Sequence, residues 1–198
     1  ASPLTLRGGG VAGVLALAWD QNAFSTTSSP AGAVFEEVAL RQLAQLFGLP
    51  ATCAGAVVTG ATLANVSALA AARHALLARR GWDVESDGLF GAPPIDVFVG
   101  AEVHASVRKA LGLLGFGRDR VRRLEVDSQG CIRADALPTL EGPALVCAQA
   151  GNVNSGGSDP FPALRRWCDG AGAWLHVDGA FGLFAAALFG FEQAGVFN

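Results

Sequence analysis

Residues 144–180 read ALVCAQAGNVNSGGSDPFPALRRWCDGAGAWLHVDGA, and this stretch decides the fold. It opens on an apolar run, ALVCAQA (144–150), crosses a loop of Gly, Asn, Ser and Asp, and continues as an amphipathic segment from Phe161 to Gly170. A second apolar run, AWLHVD (173–178), follows. Short apolar runs bounded by turn residues suit strands buried on both faces, and the segment between them reads as a helix.

The same alternation extends toward the N-terminus. VRRLEV (121–126) reads as a strand followed by a short helix near Ala134 to Leu140, and IDVFVG (95–100) as a strand followed by a helix from Ala105 to Leu114. AVV (56–58) and a helix from Thr62 to Arg80 precede them. Such repetition implies an α/β fold, a mostly parallel sheet flanked by helices on both faces. Further upstream, residues 11–20 read as a helix, and Ser25 to Ser29 with Pro30 as a polar loop. A helix follows from Ala33 to Phe47, with Val34, Val38, Leu43, Leu46 and Phe47 on its apolar face. Glu36 and Glu37 are placed in its first turn, and Gly48 and Pro50 close it. The chain therefore divides into an N-terminal helical segment with a loop, residues 1–50, and an α/β domain, residues 51–198.

Composition narrows the function. At 198 residues, 51% apolar and 16% charged, the chain is long and apolar enough for one domain around a full core. A formal charge of -3, with arginines in short scattered clusters, leaves no basic footprint for nucleic acid. The apolar stretch Val11 to Trp19 follows Arg7 but is too short to span a bilayer, so no membrane role is expected. Cys53, Cys131, Cys147 and Cys168 form no CxxC pair and no metal spacing, which suits reduced thiols in a cytoplasmic protein. Asn65-Val66-Ser67 matches a glycosylation acceptor but falls within an apolar helical run with no room for a glycan. The sequence contains no Met and ends on the apolar residues Phe189, Phe191 and Phe197, which suggests a fragment.

In a parallel sheet, ligands collect beyond the carboxyl ends of the strands. Three of the places to look are Thr59 to Asn65, Glu102 to Ser106 and Asp178 to Ala180, and Gly151 to Asp159 is a fourth. Thr59, Gly60, Ala61 and Thr62 put small residues, free amides and a hydroxyl at a helix N-terminus, which fits either a phosphate cradle or an ordinary cap by Thr62. His104 opens the next helix, where an imidazole can lie flat over a planar ligand; His74 and His176 read as a surface or core histidine. Asp178 ends an apolar strand, and a carboxylate there needs a partner: a protonated ring nitrogen, or the turn at Gly179.

VVTGATLAN (57–65), AEVHASVRKALGLLG (101–115), CAQAGNVNSGGSDPF (147–161) and WLHVDGAFG (174–182) resemble, in order and spacing, the group II pyridoxal-phosphate-dependent amino-acid decarboxylases. The resemblance runs from Gly10 to the end. It implies the aspartate-aminotransferase fold (fold type I), with 51–198 as the pyridoxal-phosphate-binding large domain. Backbone and hydroxyl groups of Ala61 and Thr62 would take the cofactor phosphate, and His104 would stack on the ring. Asp178 would pair with the ring nitrogen, with Ala180 on the opposite face. Asn152 would lie closest to the cofactor in its loop, supported by Asp159; both residue types are also ordinary in turns. QNAFSTTSSPAG (21–32) resembles a segment that in these dimers reaches the neighbouring subunit, so Phe24 would line substrate space of a homodimer in trans. The substrate class is an L-amino acid, aromatic or acidic.

The family's Schiff-base lysine lies well after the Asp178 motif. The only lysine of this sequence is Lys109. It follows His104 on the same helix and is turned about 140° away. A truncated sequence, a lysine from a second polypeptide segment and a non-catalytic relative are three ways to account for this. Other fold type I enzymes, such as aminotransferases and lyases, share the phosphate and Asp178 features. A nicotinamide-dependent oxidoreductase is the remaining rival, because Gly8-Gly9-Gly10-Val11-Ala12-Gly13 matches GxGxxG. No convincing strand precedes it, and no acidic residue ends a second strand where a ribose ligand is required.

Overall fold

The computed structural model describes residues 14, 15, 18 and 26–189. The GxGxxG stretch and Phe24 lie outside the described residues, as does most of the helix read at 11–20, of which Val14, Leu15 and Ala18 are helical. Four parallel strands form the sheet: β1 (Asp96–Gly100), β2 (Arg122–Leu124), β3 (Ala144–Gln149) and β4 (Trp174–Asp178), in the order β2-β1-β3-β4. Phe98 aligns with Val146 across β1 and β3, and Gln149 aligns with Asp178 across β3 and β4.

From residue 26 onward, the described residues form six helices beside the sheet: α1 (Pro30–Leu46), α2 (Ala61–Ala78), α3 (Val84–Asp87), α4 (Ala105–Leu113), α5 (Phe161–Ala171) and α6 (Leu183–Phe189). Side chains alternate across each strand, so Val97, Val99, Leu145 and Cys147 point to one face. There they pack with Leu69, Ala72 and Leu76 of α2 and with Val107, Ala110 and Leu111 of α4. Phe98, Val146 and Ala148 point to the other face and meet Phe161, Leu164 and Cys168 of α5, with Leu124 and Ile132. Two helices thus cover one face and one the other. Each large aliphatic side chain buried this way contributes roughly 1.5–3 kcal/mol of transfer free energy.

Several expectations are corrected. AVV (56–58) is not a strand: Val57 is 65% exposed, and its backbone N–H donates to Glu36 Oε1 at 2.8 Å instead of to a neighbouring strand. The helix read at Ala134 to Leu140 is only a 3₁₀ turn over Ala134–Ala136, because Pro138 lacks an N–H and forces Leu137 into extended backbone (φ -71°, ψ 128°). α1 starts earlier than the periodicity predicts, at Pro30, with Ser29 Oγ accepting from Gly32 N at 3.3 Å. Glu36 and Glu37 therefore lie beyond its first turn, and Glu37 pairs with Arg41 one turn on. Gly48 closes α1 as read: Leu49 N donates to Ala44 O and Gly48 N to Gln45 O.

The apolar side chains of α1 remain largely uncovered by the described residues, with Val34, Phe35, Val38 and Leu46 all exposed. Its C-terminal end is held by an edge-to-face contact of Phe47 with Phe184 of α6, centroids 4.9 Å apart. No described helix is long and apolar enough to cross a membrane.

Candidate active site

The carboxyl ends of β3 and β4, the N-terminus of α2 and the N-terminus of α4 surround one cleft of about 200 Å³. Ala61, His104, Gln149, Gly151, Val153, Asp178, Ala180 and Phe181 line it. Four residues predicted from sequence, Ala61, His104, Asp178 and Ala180, therefore come together.

Gly60 precedes α2 at φ 135° and ψ 170°, a conformation closed to other L-residues, and no side chain caps this end. Thr62 is the second helical residue, so the reading of Thr62 as the cap is corrected. The first amides of α2 are left for a ligand, at the end where the helix dipole favours an anion. On α4, His104 is itself the cap: its Nδ1 accepts from Ser106 N at 3.2 Å and lies 2.8 Å from Ser106 Oγ.

Asp178 is half-buried at the end of β4. Its Oδ1 accepts from Ala180 N at 3.1 Å and its Oδ2 from Asn65 Nδ2 at 3.3 Å. Both donors are neutral amides, and among the described residues Asp178 forms no ion pair. Its negative charge is therefore free to meet a cationic ligand group. The turn at Gly179 and the ligand were alternative partners in the sequence; the Ala180 amide occupies one oxygen and leaves the charge uncompensated.

Asn65 was not singled out for chemistry in the sequence, yet it is 4% exposed and touches three polar groups. Its Nδ2 donates to Ser106 Oγ at 3.1 Å as well as to Asp178, and its Oδ1 lies 2.8 Å from His176 Nε2. His176 is buried in β4 as a core histidine, and desolvation pushes its pKa down against the opposing charge of Asp178. Burial of Asn65 also leaves no room for a glycan. Gln149, Val153 and Phe181 fall within the stretches that the sequence singled out, but none of them was given a role of its own.

Asn152 is 2% exposed and does not line the cleft. Its Oδ1 accepts from Asn154 N and Ser155 N, and its Nδ2 donates to Glu102 Oε2 at 3.1 Å. These bonds hold the 151–157 loop and turn the side chain inward. Lys109 is exposed on α4 and is not among the cleft residues. Among the described residues no group of three or more His, Cys, Asp or Glu has an arrangement suited to a metal ion.

Asp159 supports the cleft from behind. Its two oxygens accept from Ile132 N and Gln149 N, each at 2.7 Å. Desolvation raises its pKa from 3.8 to about 6, against the lowering effect of those two bonds. The folded chain thus keeps a proton that the unfolded chain releases near pH 4. The stability so contributed is complete below the unfolded pKa and is lost as pH rises through about 6. The whole span is worth at most about 3 kcal/mol. Urea unfolding at intervals from about pH 4 to about pH 7 should show the wild type losing stability relative to Asp159→Asn. A difference that stays constant over that range would contradict the assignment.

An uncapped helix end, an imidazole and a carboxylate with no ion-pair partner among the described residues, around one cleft at the ends of a parallel sheet, fit the class that the resemblance implies: an α/β protein of the pyridoxal-phosphate-dependent transferase fold, fold type I. The solved structures agree. Mouse CSAD in apo form superposes with a TM-score of 0.79 at 25% identity, covering 100% of this chain and 42% of that one. Oryza sativa TDC, crystallised with PLP and tryptamine, gives 0.73 at 25% identity, covering 94% of this chain and 42% of that one. The model of the pyridoxal-dependent decarboxylase conserved domain matches residues 9–194, and the chain belongs to that family, the group II decarboxylases. Among curated relatives, cysteine sulfinic acid decarboxylase of Rattus norvegicus is 34% identical over 162 residues, 78% of this chain and 32% of its own length. L-2,4-diaminobutyrate decarboxylase of Rhizobium meliloti is 33% identical over 172 residues, 83% of this chain and 31% of its own. The chain thus spans about a third of the length of these relatives.

Proposed function

We propose that this chain carries the cofactor site of a pyridoxal-phosphate-dependent decarboxylase acting on an L-amino acid of the acidic or aromatic class. One observation carries the reading: the charge of Asp178, steadied by Asn65 and Ala180 and paired with no cation among the described residues, in the same cleft as the open amides of α2. A protonated ring nitrogen and a phosphate on one ligand match that pair of groups.

When bound, pyridoxal phosphate supplies an electron sink for the pair of electrons left as carbon dioxide departs. The chain's own residues bind and orient. Ala61 and Thr62 would hold the phosphate through backbone amides and the Thr62 hydroxyl, and Asp178 would keep a proton on the ring nitrogen. His104 and Ala180 would bound the ring's two faces. Val153 and Phe181, at 59% and 58% exposure, are apolar groups available for ordering against a ligand and shedding water. The lysine for covalent attachment would come from polypeptide other than this stretch, since Lys109 sits away from the cleft.

Two further parts of the reading concern partners and compartment. The uncovered apolar side chains of α1 support a homodimer, with Phe24 reaching the neighbouring site. Four free thiols support a reducing, cytoplasmic setting.

Release of labelled carbon dioxide from cysteine sulfinate, glutamate, 2,4-diaminobutyrate and tryptophan by the enzyme tests the reaction, with the solution mass measured alongside. Pyridoxal-phosphate-dependent release from at least one of these amino acids is expected, by the complete enzyme in a particle of twice its own protomer mass. No release from any of them would overturn the decarboxylase reading, and a monomeric mass would overturn the dimer.

A further inference from the structure

We infer that Asn65 is a positioning residue that ties Asp178 to His104 through one side-chain amide, and that this tie makes Nδ1 of His104 an acceptor with its proton on Nε2. The inference deepens the proposed pyridoxal phosphate site and rests on that reading for its consequence in binding. The tie itself belongs to this chain's own side chains.

The direction of each bond follows from what the groups can donate. Asp178 offers only acceptor oxygens when ionised, so the Asn65 atom beside it must be Nδ2. The reversed amide would set Asn65 Oδ1 against the carboxylate and leave two acceptors facing each other. With Nδ2 so placed, Oδ1 faces His176, and the 2.8 Å contact requires His176 to donate from Nε2. Burial keeps that imidazole neutral, so its single proton is committed to Asn65.

The second Nδ2 proton of Asn65 goes to Ser106 Oγ at 3.1 Å. Ser106 is itself buried, and its hydroxyl proton is then free to turn toward His104 Nδ1, 2.8 Å away. The Ser106 backbone N–H donates to the same nitrogen at 3.2 Å. Two donors converge on Nδ1, so a proton there would strand the Ser106 amide. The ring's own proton belongs on Nε2, which is a donor and not an acceptor. One chain of bonds therefore runs from His176 through Asn65, and there it divides toward Asp178 and toward Ser106 and His104. A buried polar network of this kind is rigid only when every member is satisfied, and here each has a partner.

Long-range proton–nitrogen correlation spectra of the imidazoles, recorded on the cofactor-free chain at about pH 8 where free imidazole is neutral, read the tautomers directly. The expected result is pyridine-like Nδ1 and pyrrole-like Nε2 for both His104 and His176. A pyrrole-like Nδ1 on His104 would overturn the inference. Asn65→Ala is expected to weaken pyridoxal phosphate binding about tenfold to a hundredfold, as loss of a hydrogen bond to a charged group does, and to release the His176 tautomer. Ser106→Ala, a smaller change, is expected to mix the His104 tautomers while leaving His176 unaltered. Wild-type tautomers and wild-type cofactor affinity in both variants would also overturn it. A wild-type chain that shows the expected tautomers but no affinity for pyridoxal phosphate would refute the proposed function and leave the tie between the side chains intact.

Discussion

Asp178→Asn is expected to lower the rate of decarboxylation by the enzyme about 10²–10⁴-fold, equivalent to about 3–5 kcal/mol of lost charge stabilisation. The substitution keeps the size of the side chain and an oxygen for the Ala180 amide, so its structural cost is confined to the bond lost from Asn65 Nδ2. It exchanges the oxygen facing Asn65 Nδ2 for an amide and removes the one charge that would hold a proton on the ring nitrogen. Turnover should therefore collapse while the far-ultraviolet spectrum and the urea midpoint stay close to wild type. Undiminished turnover would sink the assignment of Asp178, and a variant that unfolds would show the residue to be a structural one.

The largest effect on stability is expected from Leu145→Ala. Leu145 is fully buried at the middle of the sheet, between Val97 of β1 and Trp174 of β4 in register, and packs under α2 and α4. Removing three carbon atoms there leaves a cavity that neighbours from two strands and two helices cannot collapse to fill, which costs about 2–5 kcal/mol. Leu113→Ala, on the exposed side of α4, should cost no more than about 0.5 kcal/mol. Urea unfolding of the two variants checks the contrast, and equal midpoints would mean that the core is not where the fold places it.

Legibility of the fold followed from burial. β1, β3 and β4 are covered on both faces, so their sequences are nearly unbroken apolar runs. AVV (56–58) carries the same local signal without a partner strand, and partner strands are not visible in a three-residue run. The turn at 134–136 was misread for a nearer reason, since Pro138 was present to be weighed. In the site, Asp178 was conspicuous because an acidic residue ends an apolar strand. Asn65 was hidden by its surroundings, although one signal was available. Asn65, Leu69, Ala72 and Leu76 share one buried stripe of α2, and an amide on such a stripe must be bonded to something. Its partners come from residues 106, 176 and 178, so only the folded chain could name them. Asn152 was placed nearest the cofactor by the resemblance, and the loop's own amides claim its side-chain oxygen.

The sheet's two-sided burial also bears on alignment during folding. A strand with one wet face is kept in register because slipping by one residue exposes its apolar side. β3 has no wet face along Ala144 to Ala148, so hydration gives it no such guide. What distinguishes one alignment from the next is the polar end: Gln149 N on Asp159, Ala150 N on the Asp178 carbonyl, and Gly182 N on the Ala150 carbonyl. A side chain at Gly182 would collide with that Ala150 carbonyl, so the last of these bonds tolerates nothing bulkier. Two of the residues that index the strands, Gln149 and Asp178, also line the cleft, so a misaligned sheet would also be a sheet without its site.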